Sequence, residues 1–146
     1  MTPNFPPLSP WQNAGRLLLG GALAFAGVSH LTFAREEFQA QVPPWVPLDP
    51  DLVVLASGVV ELAVGAALVV TWRQPARALV GVATALLFVA VFPGNVAQYT
   101  EGRDAFGLDT DRARLVRLFF QPVLIVWALW ATRASLLWRR RAEVSA

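Results

Sequence analysis

Glu61 is the sole ionisable side chain in residues 52–72, LVVLASGVVELAVGAALVVTW. At ~1.5 Å rise per residue this stretch makes a helix of about 30 Å, the thickness of a bilayer's hydrocarbon core. An ionised carboxylate at that depth costs at least about 2.5 kcal/mol, so Glu61 is expected to be neutralised, paired or turned to a wet cavity. Ser57 lies one turn before it on the same face, and Gly58 and Gly65 flank it at helical spacing. Small residues there let a second helix approach and screen the acid from lipid.

Other polar residues recur at apolar boundaries. His30, the chain's one histidine, follows Ser29 near the end of the first apolar run. It reads either as a helix-end imidazole bonded to a carbonyl, or as a proton donor or hydrogen-bonding group for a ligand. Asn95 and Gln98 share a helix face with Phe88 and Val91, just after Pro93-Gly94. They are capping amides of a Pro-kinked helix end, or a polar patch at a pocket mouth. Arg114, Arg117 and Gln121 follow an i, i+3, i+7 pattern; Arg117 either snorkels to headgroups or turns inward to a carboxylate. Trp45 stands in Pro43-Pro44-Trp45-Val46-Pro47, a stiff non-helical loop, as an interface anchor or a cover over a pocket. The expected ligand-binding set is therefore His30, Trp45, Ser57, Glu61, Asn95, Gln98, Arg117 and Gln121, with hydrogen bonding and proton exchange as its chemistry. No catalytic residue and no metal site is assigned.

The elements that must position these residues follow from composition. Hydrophobic residues make up 55% of the chain and charged residues 15%, with a mean hydropathy of +0.49. Soluble domains average about 45–50% and about 25%, so the excess is lipid-facing surface. The pattern predicts an all-α, integral membrane four-helix transmembrane bundle. Its spans are expected at about 14–33, 52–72, 76–99 and 115–133, behind a flexible leader over residues 1–13 and ahead of a basic tail over 134–146. A short interfacial helix is expected near Phe38 and Val42. The third span is expected to be interrupted at Pro93-Gly94, and Asp109 or Thr110 to cap the fourth. The short turn near Pro75 predicts that the second and third spans pack as a hairpin.

All twelve basic residues are Arg, and the pI is near 10.4. They lie at span ends and in the tail, which points to membrane anchoring and headgroup contact rather than nucleic acid. The absence of cysteine removes thiolate chemistry, disulfide exchange and Cys-held iron–sulfur or zinc sites. With one His and an initiator Met, one chain is poorly equipped to ligate a haem twice. With four spans, the side bearing both termini holds seven Arg against one acid, and the other side five Arg against eight acids. The bias places both termini in the cytoplasm. All four spans then bring polar groups toward the outer half of one bundle, either as a site or as a polar packing core.

Gly27-Val28-Ser29-His30-Leu31, Val42-Pro43-Pro44-Trp45-Val46-Pro47, Ser57-Gly58-Val59-Val60-Glu61-Leu62, Val91-Phe92-Pro93-Gly94-Asn95 and Arg117-Leu118-Phe119-Phe120-Gln121-Pro122 occur in this order. Together they resemble the DoxX family of small four-helix membrane proteins, and most closely a short branch of it. The resemblance covers roughly residues 16–131. It implies a bacterial inner-membrane protein, and some related branches are linked with quinone-coupled oxidation and membrane redox complexes. Two functions are therefore expected. One is an accessory protein binding a lipophilic small molecule such as a quinone, as a homo-oligomer or within a membrane complex. The other is a membrane subunit of a quinone-linked oxidoreductase, which would draw electrons from a partner because no cofactor motif is present. A small transporter would need oligomerisation, and no inverted repeat is visible.

Overall fold

The computed structural model describes residues 7–137. The first helix, α1 (Pro10–Leu31), begins earlier than hydropathy predicts. Ser9 accepts a hydrogen bond from the Gln12 N–H, and the Gln12 side-chain oxygen accepts one from the Ser9 N–H. This reciprocal cap, with Pro10 where its missing N–H costs nothing, turns the end of the expected leader into helix. Trp138, Arg139, Arg140 and Arg141 of the expected tail lie outside the described residues.

A short α2 (Arg35–Gln39) includes Phe38 and ends before Val42, in the stretch where a short helix is expected. The next long helix, α3 (Pro50–Val70), is capped by Asp49, which accepts from the N–H groups of Asp51 and Leu52. α4 (Ala76–Thr100) and α5 (Asp111–Thr132) follow, the latter capped by Thr110. The four long helices are each long and apolar enough to cross a membrane, and no strand occurs among the described residues. α4 runs unbroken through Pro93, contrary to the expected interruption. Pro93 removes the donor for the Val89 carbonyl. Beside it, the Phe88 carbonyl accepts from Gln121 Nε2 of α5 at 2.6 Å, so a side-chain amide from the neighbouring helix supports the backbone next to the defect.

Both described ends of the chain meet at one end of the bundle. Gln12 Nε2 donates to the Trp130 carbonyl at 3.0 Å, and Arg133 Nε donates to Gln12 Oε1 at 3.0 Å. Arg16, fully buried, donates to the carbonyls of Leu68 and, at 3.0 Å, Val69. Its guanidinium also lies 4.5 Å from the centre of the Trp72 ring. These bonds satisfy orphan carbonyls at the C-terminus of α3. The opposite end, bearing α2 and the loop between α4 and α5, is the distal end.

Packing overrides the hairpin expectation. α1 packs chiefly on α3 and α4 on α5, whereas α3 and α4 touch sparingly despite their short link. Loop length sets which helices can be neighbours; close contact is decided by which surfaces are small. A Cβ placed on Gly27 would lie 2.6 Å from the Gly58 carbonyl oxygen, and one on Gly65 2.6 Å from the Ala24 nitrogen. Backbone thus meets backbone between α1 and α3, where dispersion contacts are densest. Leu19, Leu23, Leu68, Phe88 and Ala128 form the buried core, while Leu18, Phe25, Val59, Leu86, Phe119 and Val126 point outward. That outward shell suits contact with lipid chains.

Candidate functional site

Because the pairs α1–α3 and α4–α5 are each tight but meet loosely, space remains between them. It forms a pocket of about 810 Å³, within the ~300–1,000 Å³ usual for small-molecule sites. Leu19 and Leu23 from α1, Val54 from α3, Phe88 from α4 and Leu124 from α5 give it apolar walls. His30, Trp45, Ser57, Glu61, Asn95, Arg117 and Gln121 also line it, which is seven of the eight residues expected from sequence. Gln98 is not among the lining residues, but it is 1% exposed and its Oε1 accepts from Arg117 Nη1 at 3.0 Å.

Two polar stations can be distinguished. At the first, His30 Nδ1 lies 3.1 Å from Glu61 Oε2 and 3.0 Å from the Ala26 carbonyl oxygen. A carbonyl only accepts, so Nδ1 carries a hydrogen and Nε2 is the ring atom free for other work. The helix-end and functional readings of His30 therefore coexist: one nitrogen is bonded one turn back and to Glu61, the other is unpartnered among the described residues. The imidazole lies against Phe38, with ring centroids 3.4 Å apart. Both His30 and Glu61 are buried, and Gly58 makes this possible: a Cβ there would come within 2.6 Å of His30 Cβ. Ser57 does not reach Glu61; its hydroxyl donates to the Val54 carbonyl at 2.9 Å.

The second station is Arg117. It turns inward, but to amides rather than to the carboxylate that sequence allowed for. Nη1 donates to Gln98 Oε1 and Nη2 to Gln41 Oε1, at 3.0 and 3.1 Å. Three carboxylates of the loop before α5 are engaged elsewhere: Glu101 pairs with Arg103 at 2.6 Å, and Asp104 and Asp111 pair with Arg114, while Asp109 is exposed. Arg114, though in register with Arg117, thus serves the loop and not the pocket. Next to this station Asn95 Nδ2 donates to Gln121 Oε1 at 3.0 Å, so that pair is internally satisfied.

Sequence reasoning missed three contributors. Gln41 supplies one of the Arg117 acceptors, and its carbonyl is approached closely by α4, since a Cβ on Gly94 would lie 2.7 Å from it. Phe38 and Phe106 form an aromatic cover, with centroids 4.5 Å apart, and Arg117 stands 5.7 Å from the Phe106 ring centre. The cover is tied down by Arg103, which donates to the Ala40 and Val42 carbonyls at 3.1 and 2.9 Å, and by Glu37, which accepts from the Phe106 N–H at 3.0 Å. Phe106 takes a left-handed φ of 56°, a conformation that strains a bulky residue. Its only sequence cue is the glycine-rich setting of residues 101–110. Trp45 is largely exposed yet borders the pocket, so its anchor and cover readings are compatible.

A family model described as a domain of unknown function (DUF8561) matches residues 19–132. The chain belongs to that family. No curated protein and no solved structure matches it.

Proposed function

We propose that this DUF8561 protein is a membrane accessory protein that holds a lipophilic small molecule between its two helix pairs. The observation carrying this reading is one pocket with apolar walls drawn from all four long helices and two separate polar stations, His30–Glu61 and Arg117. Packing alone has no use for such a space: voids forfeit dispersion contacts, and buried polar groups are costly unless paired. A quinone is one candidate, since a carbonyl oxygen of its oxidised form needs a donor, which Arg117 offers, and a hydroxyl of its reduced form needs an acceptor, which His30 Nε2 offers. The likeness to the DoxX family supports that candidate, because each of its five motifs contributes a pocket-lining side chain. A membrane subunit of a quinone-linked oxidoreductase would use the same pocket, with His30 Nε2 as the proton-exchanging atom. A second copy or a partner subunit would then complete the assembly.

The test is native mass spectrometry of detergent-purified protein, with extraction of whatever co-purifies. A stoichiometric small molecule is expected, and Ala22→Phe, which adds a ring to the pocket wall, should reduce its occupancy several-fold without loss of folded protein. Only bulk phospholipid in both proteins would overturn the reading.

The same proposal places the chain in a bacterial inner membrane with the distal end outside, on the strength of the arginine asymmetry. The chain lacks cysteine, so Asp109→Cys provides a single reporter in the exposed distal loop. A membrane-impermeant maleimide should label it in intact cells. Labelling only after lysis would reverse the orientation.

A further inference from the structure

The unmatched groups around Arg117 carry more than a general affinity for lipophiles. Arg117 has no carboxylate within ion-pair distance among the described residues, and Glu61, the acid that lines the pocket, is engaged with His30. The two amides that accept from Arg117 each turn an oxygen to it, which leaves Gln41 Nε2 and Gln98 Nε2 as buried donors with no partner among the described residues. The station therefore presents one positive charge and N–H donors that are unpartnered among the described residues. A half-buried cation without a counter-charge and the unsatisfied Nε2 of Gln41, which lines the pocket, are each unfavourable, and one oxyanion in the pocket would relieve both. Guanidinium N–H groups suit a planar, bidentate oxyanion best.

We infer that the Arg117 station, with Gln41 and Gln98 as positioning residues, binds the monoanionic oxygen headgroup of a single-chain amphiphile whose tail lies along Leu19, Leu23 and Phe88. This rests on the reading of the pocket as a ligand site and adds the ligand's charge. A single arginine matches one negative charge, which a carboxylate or a phosphodiester supplies and a neutral quinone does not. The pocket's apolar walls match a tail, and the Phe106 ring stands beside the guanidinium, 5.7 Å away.

Binding of oleate, oleoyl lysophosphatidylglycerol and uncharged methyl oleate to the full-length protein in a neutral detergent separates the possibilities, read by native mass spectrometry and tryptophan fluorescence. At least one of the two anions should bind about tenfold or more tightly than the ester, and the tighter anion identifies the headgroup's source. Arg117→Gln should erase that preference, and Arg117→Lys should retain part of it. The comparison of acid with ester on the unaltered protein stands even if Arg117→Gln fails to fold. Equal binding of anions and ester overturns the anionic assignment and leaves the pocket intact. If none of the three binds and Ala22→Phe is also without effect, the pocket reading falls as well.

Discussion

Gly27→Leu and Gly65→Leu should each leave little folded protein, whereas Gly21→Leu, one helical step from the same stripe, should be nearly silent. A side chain at Gly27 would start 2.6 Å from both the Gly58 carbonyl oxygen and the Leu62 nitrogen. One at Gly65 would start 2.6 Å from the Ala24 nitrogen and 2.7 Å from the Gly20 carbonyl oxygen. These neighbours are backbone, so no rotamer change makes room and the helices must separate. Overpacking in a core that can adjust costs about 1–3 kcal/mol, and this site cannot adjust. A Cβ on Gly21 meets nothing within 4 Å, which makes it an internal control for adding leucine to α1. The measurement is the fraction of monodisperse protein and its thermal midpoint in mild detergent. Gly27→Leu as stable as the parent would mean that α1 and α3 do not cross at this distance. The same crossing sets the chemistry, since Gly58 lets His30 come against α3 and reach Glu61.

The residues that form the pocket were legible before the way they come together. A carboxylate in the middle of an apolar run has few physical solutions, and small neighbours at Gly58 and Gly65 pointed to shielding by another helix. Which helix was not legible. The short turn near Pro75 argued for α3 beside α4, but chain connectivity costs little to satisfy in more than one arrangement, whereas a glycine face fits only a complementary glycine face. Gly20, Ala24 and Gly27 recur at helical spacing in α1 and Gly58 and Gly65 in α3, but their match is a property of the pair and not of either helix alone. Pro93 shows the same limit. Its local effect, loss of one donor, predicts a break, but Gln121 lies 33 residues from Phe88 in sequence and supplies an amide beside the defect. Arg117 was identified as a residue that must choose between snorkelling and pairing. Its actual partners cannot be found by looking for carboxylates, because Arg103 and Arg114 engage Glu101, Asp104 and Asp111 while Asp109 stays exposed. Gln41 gave no periodic signal, since it sits between a five-residue helix and a proline run.

His30→Leu and Glu61→Leu should each destabilise the protein by roughly 1–3 kcal/mol, and the double variant by clearly less than their sum. Each single change leaves the other polar group buried against apolar neighbours without its partner at 3.1 Å. Removing both eliminates the unmatched group and restores an apolar wall of similar volume, which is why the pair is coupled. Unfolding of the four proteins in one detergent measures that coupling. Additive losses would mean that His30 and Glu61 do not interact. Stability alone, however, cannot tell a packing pair from a working one, and ligand retention can. If the pair only holds α1 to α3, the double variant should recover bound ligand together with its stability. If it exchanges a proton or a hydrogen bond with the ligand, the double variant should regain stability and stay empty. Glu61→Gln sharpens the distinction, because its amide oxygen still accepts from His30 Nδ1 while the carboxylate is gone. Folding should survive that change and ligand should be lost from it; a Glu61→Gln protein with undiminished occupancy would reduce the pair to a strut and leave Arg117 as the pocket's recognition group.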